Sequence, residues 1–233
     1  MSVSTAPPQR PSAGPLAGPA PRSVRPDLSW QASLFAAADE PRFDAAFAEA
    51  ERRELSSGAW VEHTPGWLEG ADGLFATVLE LAPWGTYTME MYGDRVLAPR
   101  LTARWHVDEL PDELAVLRDV GRALSDRYGK ELERIGVNLY RDGRDSVAWH
   151  GDRVARELPS AVIAILSLGH RRPLRLRPRG GGPSLGYGLG RGDLFVMGGS
   201  CQRTWQHAVP KVAHSQPRIS VTFRHRYPGR EDG

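Results

Sequence analysis

The residues able to do chemistry crowd into one stretch, Asn138 to Asp152, which reads Asn-Leu-Tyr-Arg-Asp-Gly-Arg-Asp-Ser-Val-Ala-Trp-His-Gly-Asp. It holds two polar pairs, each with one residue between: Asn138 and Tyr140 around Leu139, and His150 and Asp152 around Gly151. Alternate side chains of an extended chain share a face, so each pair projects to one side of its strand. A turn from Arg141 to Ser146, with Gly143 in its middle, would join the two strands as a hairpin. An imidazole and a carboxylate on one strand face are two members of the two-histidine, one-carboxylate set that holds ferrous iron and leaves its other positions open.

The His-x-Asp spacing alone is a weak signal, because His106 and Asp108 repeat it just before a predicted helix, where Asp108 is more simply a loop or capping residue. What separates His150 and Asp152 from this decoy lies downstream. His207 sits in Thr-Trp-Gln-His-Ala-Val-Pro, after the run from Gly192 to Gly199 that reads as a tight turn, a buried strand and a second turn. Such a support can carry a distant histidine to a metal, although a histidine taken alone is more often an ordinary hydrogen-bonded one. From Arg218 to Arg224 the chain alternates without a break: Arg218, Ser220, Thr222 and Arg224 face one way, Ile219, Val221 and Phe223 the other. A polar face bounded by arginines inside a barrel requires an anion, since unpaired buried charge is costly. A dicarboxylic acid would supply two such charges, bound bidentately by guanidinium. A last strand with its arginines in solvent explains the segment as well.

The elements that must position these residues follow from the rest of the chain. At 233 residues, 40% hydrophobic and 25% charged, the sequence can bury a proper core as one domain, spanning 29–233, behind a tail of residues 1–28. That tail is rich in Pro, Ala, Ser and Gly and lacks a signal-peptide core, so it reads as disordered. No apolar run is long enough to span a bilayer. The single Cys201 excludes an internal disulfide and suits a reducing cytoplasm. A net charge of +2 permits a nucleic-acid partner without demanding one; only Lys130 and Lys211 of the 30 basic residues are lysines, so arginine clusters carry less weight than usual.

Three helices are expected. One starts near Asp39 with Phe43, Ala46, Phe47 and Ala50 on one face, the second spans Ala71 to Leu81, and the third, the clearest, runs from Pro111 to Tyr128 and is ended by Gly129. Trp60 to Trp67 looks extended or looped. After residue 133 the pattern changes to eight short strands: Arg134–Tyr140, Val147–Asp152, Ala161–Leu168, Leu174–Arg179, Ser184–Leu189, Asp193–Met197, Thr204–Val209 and Arg218–Arg226. Short strands with Gly- and Pro-rich connections are what a jelly roll requires. The fold class is therefore α+β and mainly β.

Taken in order, Asn138-x-Tyr140, His150-x-Asp152, His207, and Arg218 with Arg224 resemble the AlkB-type branch of the iron(II)/2-oxoglutarate dioxygenases, over about Trp60 to Tyr227. The resemblance implies a double-stranded β-helix at about 134–227, with the N-terminal helices packed on it, in which His150, Asp152 and His207 hold Fe(2+). It further implies that Arg218 and Tyr140 bind the far carboxylate of 2-oxoglutarate, while Asn138 and Arg224 lie near its metal-bound end and Ser220 stands beside the co-substrate. O2 would complete the reaction, yielding succinate and releasing an N-methyl group as formaldehyde. The substrate implied is DNA or RNA carrying bases such as 1-methyladenine or 3-methylcytosine; the protein is expected to be a cytoplasmic monomer. A protein or small-molecule substrate, and a non-enzymatic jelly-roll binding module, are the alternatives.

In the family the segment before the barrel forms a lid over the base, here within about 60–107. Met89, Met91, Tyr92, Arg95, Arg100 and Trp105 mix aromatic and basic residues there, with Tyr92, Arg100 and Trp105 as the candidate substrate contacts. Such residues in strands are equally often core. Two departures from the family pattern stand out: Val154 occupies the place of a base-reading acid, and Ser220 stands where some members have Asn. Finally, Arg175, Arg177 and Arg179 alternate along one strand, either as a phosphate track or as a solvated edge that discourages strand pairing.

Overall fold

The computed structural model describes Pro26, Leu28 and residues 40–91, 94–152 and 158–225, without the side chains of 89–96. In chain order these form β1 (Arg42–Phe43), β2 (Glu51–Glu54), β3 (Ala59–Thr64), β4 (Leu68–Glu69), α1 (Ala71–Leu81), β5 (Thr88–Met91), β6 (Asp94–Leu97) and β7 (Leu101–His106). The second half adds α2 (Ala115–Tyr128), β8 (Arg134–Tyr140), β9 (Val147–His150), β10 (Ile163–Gly169), β11 (Arg172–Pro178), β12 (Leu185–Leu189), β13 (Leu194–Gly199), α3 (Cys201–Thr204), β14 (Trp205–Val209) and β15 (Arg218–Arg224). A seven-stranded sheet, β2-β3-β13-β10-β15-β8-β7, and a four-stranded one, β12-β11-β14-β9, make the jelly roll.

Strict alternation along the strands divides the interior into two cores. From β8, β10 and β15, Ile135, Val137, Leu139, Ala164, Leu166, Leu168, Ile219, Val221 and Phe223 face outward from the large sheet and are covered by Leu74, Phe75 and Val78 of α1 and Leu117, Val120 and Leu124 of α2. The opposite parity faces the small sheet: Ile163, Ile165, Phe195 and Met197 meet Leu174, Leu176 and Leu189. Each such side chain stabilises the fold by about 1.5–3 kcal/mol. At β8 and β15 the inner face turns polar, and there the site forms.

α1 lies where its periodicity predicts. α2 starts later than Pro111, after a 3-10 turn at Asp112–Leu114, and Gly129 closes it at φ 60°. The helix expected around Phe43 to Ala50 is absent. Asp44 accepts hydrogen bonds from the amides of Ala46 (2.9 Å) and Ala48 (2.6 Å), a local turn that competes with the helix ladder. Phe43 and Phe47 both pack on Trp67, at ring separations of 5.0 and 5.2 Å, so their spacing serves a turn.

The hairpin expected between β8 and β9 is also absent. β8 pairs with β7 and β15 in the large sheet, whereas β9 pairs with β14 in the small one. The connection is an arch between sheets. Asp145, buried within it, accepts from the Arg141 amide (2.9 Å) and guanidinium (2.8 and 2.9 Å). The two polar pairs therefore face each other across the interior.

Candidate metal and co-substrate site

His150 and His207 are direct cross-strand partners on β9 and β14, with ring centroids 4.2 Å apart. A register shift separates this pair from Val147 and Val209, so the bulge lies immediately before His150 and re-aims its strand end. His150 Nδ1 lies 2.9 Å from the Ala148 carbonyl oxygen. A carbonyl only accepts, which assigns the proton to Nδ1 and leaves Nε2 free as a ligand. Asp152 completes the cluster, with its Oδ1 4.0 Å from His150 Nε2. Ligand atoms of the three residues lie within 4.8 Å of one another, the only such His/Cys/Asp/Glu group among the described residues.

The residue between the ligands has to be glycine. A Cβ on Gly151 would stand 2.4 Å from the Gln202 carbonyl oxygen and 3.3 Å from that of Trp205. Gln202, fully buried on α3, also accepts the Asp152 amide at 3.0 Å through Oε1. From the other sheet, Arg224 Nε approaches Asp152 Oδ2 at 2.7 Å. Burial works to raise the Asp152 pKa, but Arg224, His207 and His150 outweigh it and hold the carboxyl below the usual range. Burial pushes His207 down to about 3 and also lowers His150. Two neutral imidazoles and one carboxylate are the protonation states a divalent cation needs, so the donor set fits iron(II).

Beside this cluster the register of β8 against β15 pairs Tyr140 with Arg218 and Asn138 with Ser220. Arg218 is buried, donates to Ser167 Oγ at 2.7 Å, and keeps an Nε without a hydrogen-bond partner. Among the described residues no acidic side chain lies within ion-pair distance of it. A desolvated cation of this kind calls for an anionic ligand. The Tyr140 hydroxyl belongs to the same corner: its ring centre is 5.3 Å from the Arg218 guanidinium and 5.6 Å from that of Arg172. Burial raises the Tyr140 pKa, keeping it a protonated donor. A dicarboxylate reaching from the metal cluster to Arg218 meets donors at both ends.

The remaining expected residues divide. Arg100 is buried against the co-substrate wall, donating through Nε to Asn138 Oδ1 at 2.9 Å while its other end meets the Tyr87 hydroxyl. Trp105 is withdrawn into the helix-side core, because it shares β7 parity with Leu101 and Ala103, so the structure does not bring it to the site. Tyr92 and Val154 lie outside the described residues. His106, the decoy, caps the 3-10 turn at Val107–Glu109 and faces Glu133 at 3.5 Å.

Arg172 and Gln202 escaped sequence reasoning. Arg172 is fully buried and donates to the carbonyls of Asp142 (2.7 Å), Asp145 (2.9 Å) and Pro210 (2.9 Å), tying the β8–β9 arch to the end of β14. Its parity with Leu174 and Leu176 was the available signal, hidden in an arginine-rich run.

Residues 62–224 match the family pattern described as the 2OG-Fe(II) oxygenase superfamily. The human alpha-ketoglutarate-dependent dioxygenase alkB homolog 3 is 31% identical over 188 residues, 70% of this chain and 65% of that protein. Its Bos taurus counterpart is 33% identical over 183 residues, covering 69% and 63%. The Arabidopsis thaliana DNA oxidative demethylase ALKBH2 is 28% identical over 184 residues, covering 61% and 58%. The chain thus spans less than two thirds of the length of these relatives. The solved structure of OsALKBH1 shares the fold, with TM-score 0.51 at 15% identity over 76% of this chain and all of that one. With the pattern covering the whole small sheet, most of the large one and all three members of the His-Asp-His cluster, the chain belongs to the 2OG-Fe(II) oxygenase superfamily.

Proposed function

We propose that this protein is an iron(II)- and 2-oxoglutarate-dependent dioxygenase that removes N-methyl groups from bases in nucleic acid. The observation that carries the chemistry is the pairing of a metal-competent cluster, His150, Asp152 and His207, with the buried cation Arg218 on the facing sheet, which among the described residues has no acid within ion-pair distance. The name of the ALKBH2 relative, a DNA oxidative demethylase, supports the substrate class, and that of the alkB homolog 3 relatives, alpha-ketoglutarate-dependent dioxygenases, supports the co-substrate.

When bound, iron with 2-oxoglutarate and O2 supplies the oxidation, converting the co-substrate to succinate and CO2 and an N-methyl group to formaldehyde. The protein's own residues bind and orient. Ala148 fixes the His150 tautomer, and Arg224 and Gln202 fix Asp152 from two sides. Arg218 and Tyr140 take the far carboxylate, Asn138 and Ser220 line its path, and Arg100 steadies Asn138. Tyr92 stays a candidate contact to the base in this proposal, Arg100 serves the wall between base and co-substrate, and Trp105 takes no part. A base in a duplex has to leave the stack to reach this interior, at a cost of a few kcal/mol that is smallest for damaged or single-stranded sites.

The test is succinate and formaldehyde release with methylated single-stranded and duplex oligonucleotides, with His150→Ala as control. Formaldehyde that depends on both the methyl group and His150 is expected. Succinate without nucleic-acid-dependent formaldehyde rejects the substrate, and absence of Fe(II) and 2-oxoglutarate binding rejects the enzyme.

A further inference from the structure

Among the described residues, the outer face of the small sheet carries no apolar core cluster and an unusual set of residues. Register and parity place Arg175 and Arg177 of β11, Gln206 and Ala208 of β14, and Gly186 and Gly188 of β12 on it. Leu174, Leu176, Leu185 and Leu189 point the other way, into the inter-sheet core. None of the four strands contains Asp or Glu.

The glycines leave floor space on which guanidinium groups lie flat. A Cβ on Gly186 would stand 3.4 Å from Arg175 Nη1, and one on Gly188 would stand 2.5 Å from Arg171 Nε. Arg177 stacks on the Trp149 ring at 4.2 Å, and both its Nε and Nη2 lie 3.3 Å from Gln206 Oε1. Stacking fixes the plane of the Arg177 guanidinium, and with Nε and Nη2 turned to Gln206 its Nη1 side remains for a ligand.

Two ordinary explanations fail. Arginines guard exposed sheet edges, but β11 is an interior strand, flanked by β12 and β14. Arginines also serve in ion pairs, yet among the described residues no acid lies within ion-pair distance of Arg171, Arg175 or Arg177. The face also leads somewhere. From Arg175 it runs into a groove lined by Ala208, Trp149, Ala148, Lys211 and Arg100, with no acid among the described residues of its walls. Arg100 is the residue bonded to Asn138 in the co-substrate wall, so cationic side chains continue from β11 to the catalytic interior.

We propose that this face is a phosphodiester track, gripping the backbone of the strand that flanks the base in the active site. The proposal rests on the nucleic-acid reading above and adds where the rest of the strand lies. Alternate residues of a strand recur every ~6.6 Å, an interval comparable to that between successive phosphates of a single nucleic-acid strand. Guanidinium forks bind phosphate bidentately, and such contacts are blind to base sequence and sensitive to salt.

The experiment measures fluorescence anisotropy of labelled long oligonucleotides, methylated and unmethylated, against NaCl concentration, for the wild type, R175Q/R177Q and R175K/R177K. Arg179 is left intact because it donates to the Arg203 and Gln202 carbonyls beside the metal cluster. Removing one arginine–phosphate pair flattens the salt slope by about 0.7 for a single strand, so the double Gln variant flattens it by about 1.4. The Lys variant keeps most of the slope. Formaldehyde release from a methylated trinucleotide, too short to reach the track, stays at the wild-type level in R175Q/R177Q, while KM for the long substrate rises several-fold. A wild-type slope in R175Q/R177Q overturns the track and leaves demethylation standing. A wild-type protein that binds no oligonucleotide overturns the track together with the substrate reading. Equal weakening in the Gln and Lys variants assigns the effect to folding and overturns the charge argument.

Discussion

Arg224 and Asp152 meet across the jelly roll, Nε to Oδ2 at 2.7 Å, joining the last strand of the large sheet to the metal cluster of the small one. The contact is an ion pair rather than a straight hydrogen bond, since Arg224 Nε finds no well-aligned acceptor. Gly136 makes room for it, because a Cβ there would stand 3.4 Å from Arg224 Nη1 and 2.9 Å from Thr222 Oγ1.

Arg224→Met is expected to weaken Fe(II) binding about 10- to 100-fold, the usual cost of losing a partner that orients a metal-ligating carboxylate. Anaerobic Fe(II) titration followed by tryptophan fluorescence measures this. Unchanged affinity would show that Asp152 is oriented by the Gln202 amide contact alone.

Arg218→Met separates binding from stability. It removes the anion's partner, so 2-oxoglutarate affinity falls by about 2–5 kcal/mol, a charge-pair truncation. It also removes a desolvated cation, so the melting temperature without 2-oxoglutarate stays level or rises. Thermal melts with and without 2-oxoglutarate read both effects; a large fall in the unliganded melt contradicts the account of Arg218 as an unpaired charge.

Gly151→Ala forces a methyl group to within 2.4 Å of the Gln202 carbonyl. The expected cost is about 1–3 kcal/mol of stability, as for overpacking in general, together with weaker metal binding. Urea unfolding and Fe(II) titration on one preparation check it. Full stability with intact metal binding would mean that α3 moves freely.

Asp193 controls an acid limb of stability. Its carboxylate accepts the amides of Gly66 (2.8 Å) and Gly190 (3.0 Å) and lies 3.9 Å from His63 Nε2. Burial works to raise its pKa, but His63 and these two amides hold it below the ordinary carboxylate value. A folded-state pKa below the unfolded one stabilises the native state at neutral pH, and that stability is lost as pH falls from about 4 through the folded value. Asp193→Asn should therefore be less stable at neutral pH by about 1–3 kcal/mol and converge with the wild type in acid. Urea unfolding across the acid range measures this, and a constant gap at all pH values would overturn it.

The sequence made the inner faces of β8 and β15 legible because alternation is a local property: Asn138, Tyr140, Arg218 and Ser220 could be assigned to shared faces from parity alone. It misled where the partner of a segment is distant. The β8–β9 hairpin was the natural reading of six intervening residues, yet β8 pairs with residues 218–224 and His150 with His207. Phe43 and Phe47 mimicked a helix face because Trp67, which they both cover, does not declare itself in their own segment. Arg172 vanished into a basic run, although its neighbours Arg171 and Arg175 are exposed and it is not.

The arrangement of the three ligands has one more consequence. His150 and His207 ride on adjacent strands of one sheet, while Asp152 is tethered through Arg224 to the other. All three ligands are carried on the β9–β14 side, so an ion held by them clasps these two strands together and fixes the carboxylate that Arg224 reaches from the other sheet, and its binding free energy becomes resistance to unfolding.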